Sequence, residues 1–277
     1  MTLYQKRQFI NRFNMGAAVA TTAFGLFWLA WLLWTLVGHG LGYLNWEVFT
    51  QSTPAPGNSG GLSNAIVGSL IVTMIGTGIG APVGIFAGTY LAEYGRNRRI
   101  AAIVRFFNDV LLSAPSIIIG LFVYQIVVLT MGHFSALAGG IALSLIVIPL
   151  TLRITENMMR LVSDQMREAA AALGIPRWKV ITRIVYRAAL SGIITGVILG
   201  IARIAGETAP LLFTALNNNF FSTNVLQPIA NLPMMIFQFA LSPYEDWHHL
   251  AWVGAFLITF AILALNVLVR LVLRPSK

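Results

Sequence analysis

The chain contains no cysteine, which removes disulfides, thiolate nucleophiles and thiolate metal sites. It is also poor in charge: 10% of its 277 residues are Asp, Glu, Lys or Arg, against about 25% in a soluble domain. With 57% hydrophobic residues and a mean hydropathy of +0.77, that scarcity excludes disorder, collagen, a coiled coil or a globule kept in solution by its surface. No G-x-x-x-x-G-K-[ST] occurs, so there is no loop of the kind that cradles the phosphates of ATP. No H-E-x-x-H, Ser/His/Asp or paired-carboxylate set lies in the apolar stretches, and neither catalytic nor metal-ligating residues are expected. The net charge of +9 is the number left open. It fits nucleic acid, anionic lipid, or the basic cytoplasmic loops of a membrane protein.

A hydrocarbon core of about 30 Å asks for roughly 20 apolar residues of helix. Six stretches are read as spans: 15–37, 64–91, 110–131, 137–152 (the shortest), 188–215 and 250–269. The expected fold is therefore all-α and polytopic, with six transmembrane helices. Seventeen of the 18 Lys and Arg fall before the first span, in the second and fourth connections, or after the last span. The other three connections hold no Lys or Arg and carry Glu47, Glu245, Asp246 and the four His. By the positive-inside rule both termini are expected in the cytoplasm. The first apolar run is too long for a signal peptide and lacks an A-x-A cleavage site, so it reads as a retained helix. Residues 1–63 form this helix and an outer loop, and 64–273 a single membrane domain.

Gly76, Gly80, Gly84 and Gly88 recur every four residues, as do Gly192, Gly196 and Gly200. Such ladders let helix backbones approach closely in lipid, and tight packing is the expected use, ahead of a sliding interface. Pro82, Pro115, Pro149 and Pro210 interrupt spans two to five and suggest a bundle around a cavity.

The longest basic connection, 153–187, reads as structure. Residues 164–173 favour a helix, Gly174 ends it, and Pro176 opens a second helix over 176–186. Glu168-Ala169-Ala170, Gly174 and Ile184 resemble the EAA loop of type I (MetI-like) ABC importer permeases, departing from it at Tyr186 and Arg187. The resemblance implies a coupling helix that docks into a separate ATP-binding subunit through Glu168, Ala169, Ala170, Gly174 and Ile184. ATP and magnesium would then be used by that partner, and this chain would bind no cofactor.

One basic residue is left inside a span. Arg203 lies four residues from Glu207, which on a continuous helix places both on one face. A buried charge there should face protein or a wet pathway. Its planar donor fork suits a tetrahedral oxyanion, with Glu207 holding it between passages; a purely structural Arg–Glu clamp is the other reading. Ser116 and Thr208 are weaker pathway candidates beside Pro115 and Pro210. The stretches 203–214 (R-I-A-G-E-T-A-P-L-L-F-T), 227–233 (Q-P-I-A-N-L-P) and 114–122 (A-P-S-I-I-I-G-L-F) are similar to the PstA family, permease subunits of bacterial phosphate ABC importers. That resemblance implies an inner-membrane protein forming half of an alternating-access phosphate pathway. It also implies three partners: a second permease, PstC, an ATPase homodimer, PstB, and a periplasmic binding protein, PstS. A permease for molybdate or sulfate is the nearest rival, and a passive anion channel a more distant one. Nucleic acid is not expected as a partner, because the basic residues follow topology. The loop 215–249 is expected at the outer mouth, where the binding protein would dock. His39 and His133 are expected at the interface, and the adjacent His248 and His249 are not expected to hold a metal.

Overall fold

The computed structural model describes residues 2–95 and 98–272. The regular elements among them are helices: α1 (Leu3–Gly42), α2 (Glu47–Thr50), α3 (Ser63–Glu93), α4 (Arg99–Ser113), α5 (Ser116–Val123), α6 (Leu129–Met131), α7 (Ala136–Leu161), α8 (Asp164–Ala172), α9 (Arg177–Val180), α10 (Tyr186–Ile204), α11 (Ala209–Leu212), α12 (Leu232–Ala240) and α13 (Glu245–Val272). Short π turns, Tyr124–Val128 and Ile181–Val185, join α5 to α6 and α9 to α10.

Five helices are long and apolar enough to cross a bilayer: Leu3–Gly42, Ser63–Glu93, Ala136–Leu161, Arg177–Ile204 and Glu245–Leu271. The sixth crossing differs from expectation. Span 110–131 is not one straight helix, because Arg99–Ser113 meets Ser116–Met131 at 107°. Pro115 supplies no N–H to continue α4, and Ala114 before it is extended, with ψ of 132°. The part beyond the break runs roughly 24 Å at 1.5 Å per residue. The expected span 188–215 is also too long. Its helix stops at Ile204, the Glu207 N–H turns back to the Ile204 carbonyl at 3.2 Å, and Pro210 starts the short α11. The helix expected at 176–186 is not separate either; it is the first part of one 28-residue rod, Arg177–Ile204. Pro82 and Pro149 sit inside continuous helices, so only Pro115 and Pro210 mark breaks in the chain's course.

Helix α7 is the centre. One face packs on the glycine ladder of α3, where every added Cβ would collide with α7. At Gly80 it would meet the Ser144 carbonyl oxygen at 2.9 Å, at Gly84 the Ile148 carbonyl oxygen at 2.8 Å, and at Gly88 the Leu152 carbonyl oxygen at 2.6 Å. The second ladder, on α10, meets α7 elsewhere along its length: Gly192 faces Met158 and Gly196 faces Ile154. Both ladders therefore serve close packing, and Leu143, Ile146 and Val147 of α7 join Val72, Ile119, Ile204 and Leu211 in the main core.

The connection after α11 folds back onto the bundle instead of extending away. The Asn64 amide on α3 donates to the carbonyls of Asn218 and Asn219, and the Ser69 hydroxyl accepts from the Leu232 N–H at 2.6 Å. By contrast, α1 stands off the bundle along most of its length. Its far end leans on α13, where Gly40 lies against Phe256, His39 stacks on Trp252 and Tyr43 stacks on His249.

Gly78 provides an internal control, since a Cβ there meets nothing within 4 Å. Gly84→Leu should destabilise the purified protein by about 1–3 kcal/mol through overpacking, whereas Gly78→Leu should be close to neutral. Thermal unfolding in detergent distinguishes the two, and equal midpoints would show that the ladder is not in tight contact.

Candidate functional site

The residues singled out by sequence fall into two groups. The first is the connection between α7 and α10. Helix α8 ends in a Schellman arrangement: the Ile175 N–H reaches the Ala170 carbonyl at 3.3 Å, and the Gly174 N–H reaches that of Ala171 at 2.9 Å. Gly174 has φ of +71°, and a Cβ there would meet nothing within 4 Å. Within this chain the glycine is thus required by its left-handed backbone, not by crowding. Glu168, Ala169 and Gly174 are exposed, and Leu173 presents 79% of its surface. Ala170 is buried and Ile184 half-buried; both pack inward with Met159, Val180, Val185 and Ile193. The motif residues therefore divide into a presented edge and an internal support.

Beneath that edge lies an ionic framework with no conspicuous sequence motif. Glu93, at the end of α3 and 8% exposed, accepts from Arg167 of α8 at 3.1 Å (Nε) and 2.7 Å (Nη2). Arg167 also donates to the carbonyls of Met159 and Val162, so its guanidinium ties α8 to the ends of α3 and α7. Arg177 donates to the Glu93 carbonyl and lies over the Tyr94 ring, 4.5 Å from its centroid. One turn before the end of α7, buried Glu156 accepts from Arg105 of α4 at 2.9 Å and from Arg160 at 2.6 Å. Asp109 of α4 pairs with Arg153 of α7 at 2.5 Å. The signal that could have revealed these pairs is Glu93 and Glu156 standing in otherwise apolar helix ends, since a buried carboxylate demands a partner.

The second group lies inside the bundle. Arg203 is in the last turn of α10, beside Ile204, which packs level with Gly76 near the middle of α3. Because the helix ends at Ile204, Arg203 and Glu207 do not share the helical face expected of them, and the Arg–Glu pairing that both sequence readings invoked does not form. Among the described residues neither side chain has a hydrogen bond or ion pair. Arg203 is exposed, while Glu207 and Thr208 are partly buried in the turn before α11. Ser116 opens α5 at the Pro115 break. The two breaks are brought together by α5 packing on α11, where a Cβ at Gly120 would come within 2.7 Å of Pro210 Cα. Ser116, Thr208, Glu207 and Arg203 thus all sit at helix ends, where backbone polar groups and side chains are available.

Residues 80–274 match the model of the family described as "Binding-protein-dependent transport system inner membrane component". The chain belongs to this family. As a binding-protein-dependent inner membrane component it is a multi-pass protein of the inner membrane. It is 56% identical over 267 residues to the phosphate transport system permease protein PstA of Haemophilus influenzae, covering 96% of this chain and 95% of that one. It is 54% identical to the protein of the same name from Yersinia pestis, over 96% of this chain and 91% of that one. Among solved structures it resembles the inward-facing MetNI methionine ABC transporter, with a TM-score of 0.58 at 17% identity over 76% of this chain and 94% of that chain. That likeness establishes the ABC importer permease fold.

In this permease, removing one partner of a buried ion pair leaves the other charge stranded. Arg167→Met should destabilise the α8 region by roughly 3 kcal/mol and speed trypsin cleavage at Arg177 and Lys179. Arg167→Met with Glu93→Leu should restore protection. Unchanged cleavage in the single variant would show that the pair does not hold the loop.

Proposed function

We propose that the chain is the transmembrane permease subunit of an ATP-driven inorganic phosphate importer, forming half of an alternating-access pathway. The observation that carries this reading is the near full-length identity to relatives named as phosphate transport permeases. The chemistry of the pathway group agrees with it. Arg203 offers a five-donor planar guanidinium, and no carboxylate of this chain occupies it among the described residues. An unpaired cation near mid-bilayer is tolerable where it faces water or a neighbouring subunit. Its contact with a passing phosphate would be intermittent, which suits conduction better than tight capture. Glu207, Thr208 and Ser116 would line the same helix-end region, Glu207 limiting how strongly an anion is retained.

ATP hydrolysis is assigned to a separate subunit, with ATP and magnesium bound there. The exposed edge Glu168–Ala169 and Gly174 is the proposed docking surface; Ala170 and Ile184 support it from within. A second permease, PstC, an ATPase pair, PstB, and a periplasmic phosphate-binding protein, PstS, complete the proposed assembly. The binding protein would sit on the outer connection, where Phe220 and Phe221 are exposed. In this arrangement residues 1–63 add an outlying helix and loop to the permease domain 64–273, and both termini are cytoplasmic.

Uptake of radiolabelled phosphate, competed with sulfate and molybdate, tests the substrate; preferential competition by either rival would overturn it. Arg203→Gln should lower phosphate uptake roughly 10–100-fold, the loss expected for a charge-assisted hydrogen bond of about 1.5–3 kcal/mol. Assembly in the membrane should be intact, and normal uptake by that variant would remove Arg203 from the pathway. Because the chain has no native cysteine, single cysteines report its orientation. A cysteine replacing exposed Glu245 should react with an impermeant reagent added outside intact cells, and one replacing exposed Ala171 should not. The reverse pattern would invert the topology.

A further inference from the structure

Helix α4 has an inverted pattern that transport does not use. Ile100, Ile103, Phe106, Phe107 and Val110, at helical spacing, are all exposed, while Ala101 and Asn108 are buried against the bundle and Arg105 reaches in to Glu156. Arg99–Ser113 meets Ser116–Met131 at 107°, so with Ser116–Met131 taken as the crossing segment α4 lies close to the membrane plane. An in-plane helix with its apolar stripe facing away from the protein meets acyl chains.

At the N-terminal end of α4 opens a crevice of about 290 Å³, lined in part by Arg98, Arg160, Arg167, Arg177, Glu93 and Asp164. Its two carboxylates are already engaged: Glu93 by Arg167, and Asp164 by Arg167 at 3.5 Å. The donors are not exhausted. The Arg98 side chain has no hydrogen bond or ion pair among the described residues, and Arg177 has spent Nη2 on the Glu93 carbonyl. The crevice thus keeps an excess of positive charge two residues from the start of the apolar stripe.

We propose that this crevice binds the phosphate headgroup of an anionic glycerophospholipid whose acyl chains lie along the α4 stripe. Juxtaposed guanidinium groups and an in-plane apolar face match the two halves of such a molecule, and neither a free anion nor a protein carboxylate needs the stripe. The lipid would bridge α4 to α8 and α9, holding the ATPase-docking edge against the membrane surface. This assignment stands apart from the transported substrate, because lipid retention is read without transport.

The test is native mass spectrometry of the complex purified with its ATPase, after equilibration with phosphatidylglycerol or phosphatidylcholine. Arg98→Gln with Arg177→Gln should lower retained phosphatidylglycerol about tenfold or more, as should Ile103→Gln with Phe107→Gln, while phosphatidylcholine retention does not change. Both pairs replace exposed side chains, and thermal midpoints near wild type exclude misfolding as the cause. Equal phosphatidylglycerol retention in all three proteins overturns the proposal. Displacement of the lipid by millimolar inorganic phosphate, with the stripe variant still retaining it, would make this a free-phosphate site and overturn the lipid assignment. Loss of the ATPase from the arginine variant with lipid retention intact would assign the crevice to an acidic protein surface and overturn it as well.

Discussion

The contact on which the rest of the structure depends is the seating of α7 between two glycine ladders. In lipid there is no hydrophobic force between helices, so association rests on the closeness of packing. With glycine at positions 76, 80, 84 and 88 the backbone of α3 lies almost directly on α7, and the glycines of α10 take another part of its surface. The result is a three-helix body whose parts cannot slide freely, because Gly80, Gly84 and Gly88 of α3 lie against α7 carbonyls and Gly192 and Gly196 of α10 against its side chains. That body contains both ends to which function is proposed: α7 leads into the proposed docking edge at α8, and α10 carries Arg203.

At the end that leads into α8 the same body is locked by charge instead of closeness. Glu93 and Glu156 sit where the apolar helices leave the hydrocarbon, and each is neutralised by an arginine from a neighbouring element. The pairs have complementary polarity between α4 and α7, Arg105 to Glu156 one way and Asp109 to Arg153 the other, so a shifted register would oppose like charges. Such pairs specify arrangement more than they add stability, since desolvation offsets most of the attraction. Here they determine which way α4 points as it approaches the Pro115 break.

Much of this was legible in the sequence. The apolar lengths, the glycine ladders and the stop at Gly174 each rest on a local rule, and each appears in the fold. What was misread involved helix ends inside apolar stretches. Hydropathy does not change at Ile204 or at Ala114, so 188–215 and 110–131 read as unbroken, although Pro210 and Pro115 were visible. The consequence reached the site: with α10 ending at Ile204, the spacing of four between Arg203 and Glu207 no longer implies one face. The pairing of Glu93 with Arg167 was hidden for a different reason. Its partners are 74 residues apart, and only the packing of α3 on α7 brings them together.

These two kinds of restraint bear on how a signal could cross the protein. A docking edge fixed through Arg167 to both α3 and α7 cannot move alone; displacing it displaces the glycine-packed body as a unit. The proposed pathway residues lie where that body ends, at the break after Ile204 and at the Pro115 break held against it by Gly120 on Pro210. Breaks of this kind tolerate changes in backbone angle that the ladders do not. Movement in the proposed transport cycle should therefore be rigid along α3, α7 and α10 and concentrated at 114–116 and 205–209. An unpaired Arg203 fits that division: a side chain at the moving boundary, with no internal partner to break, can present its charge to the pathway in each state.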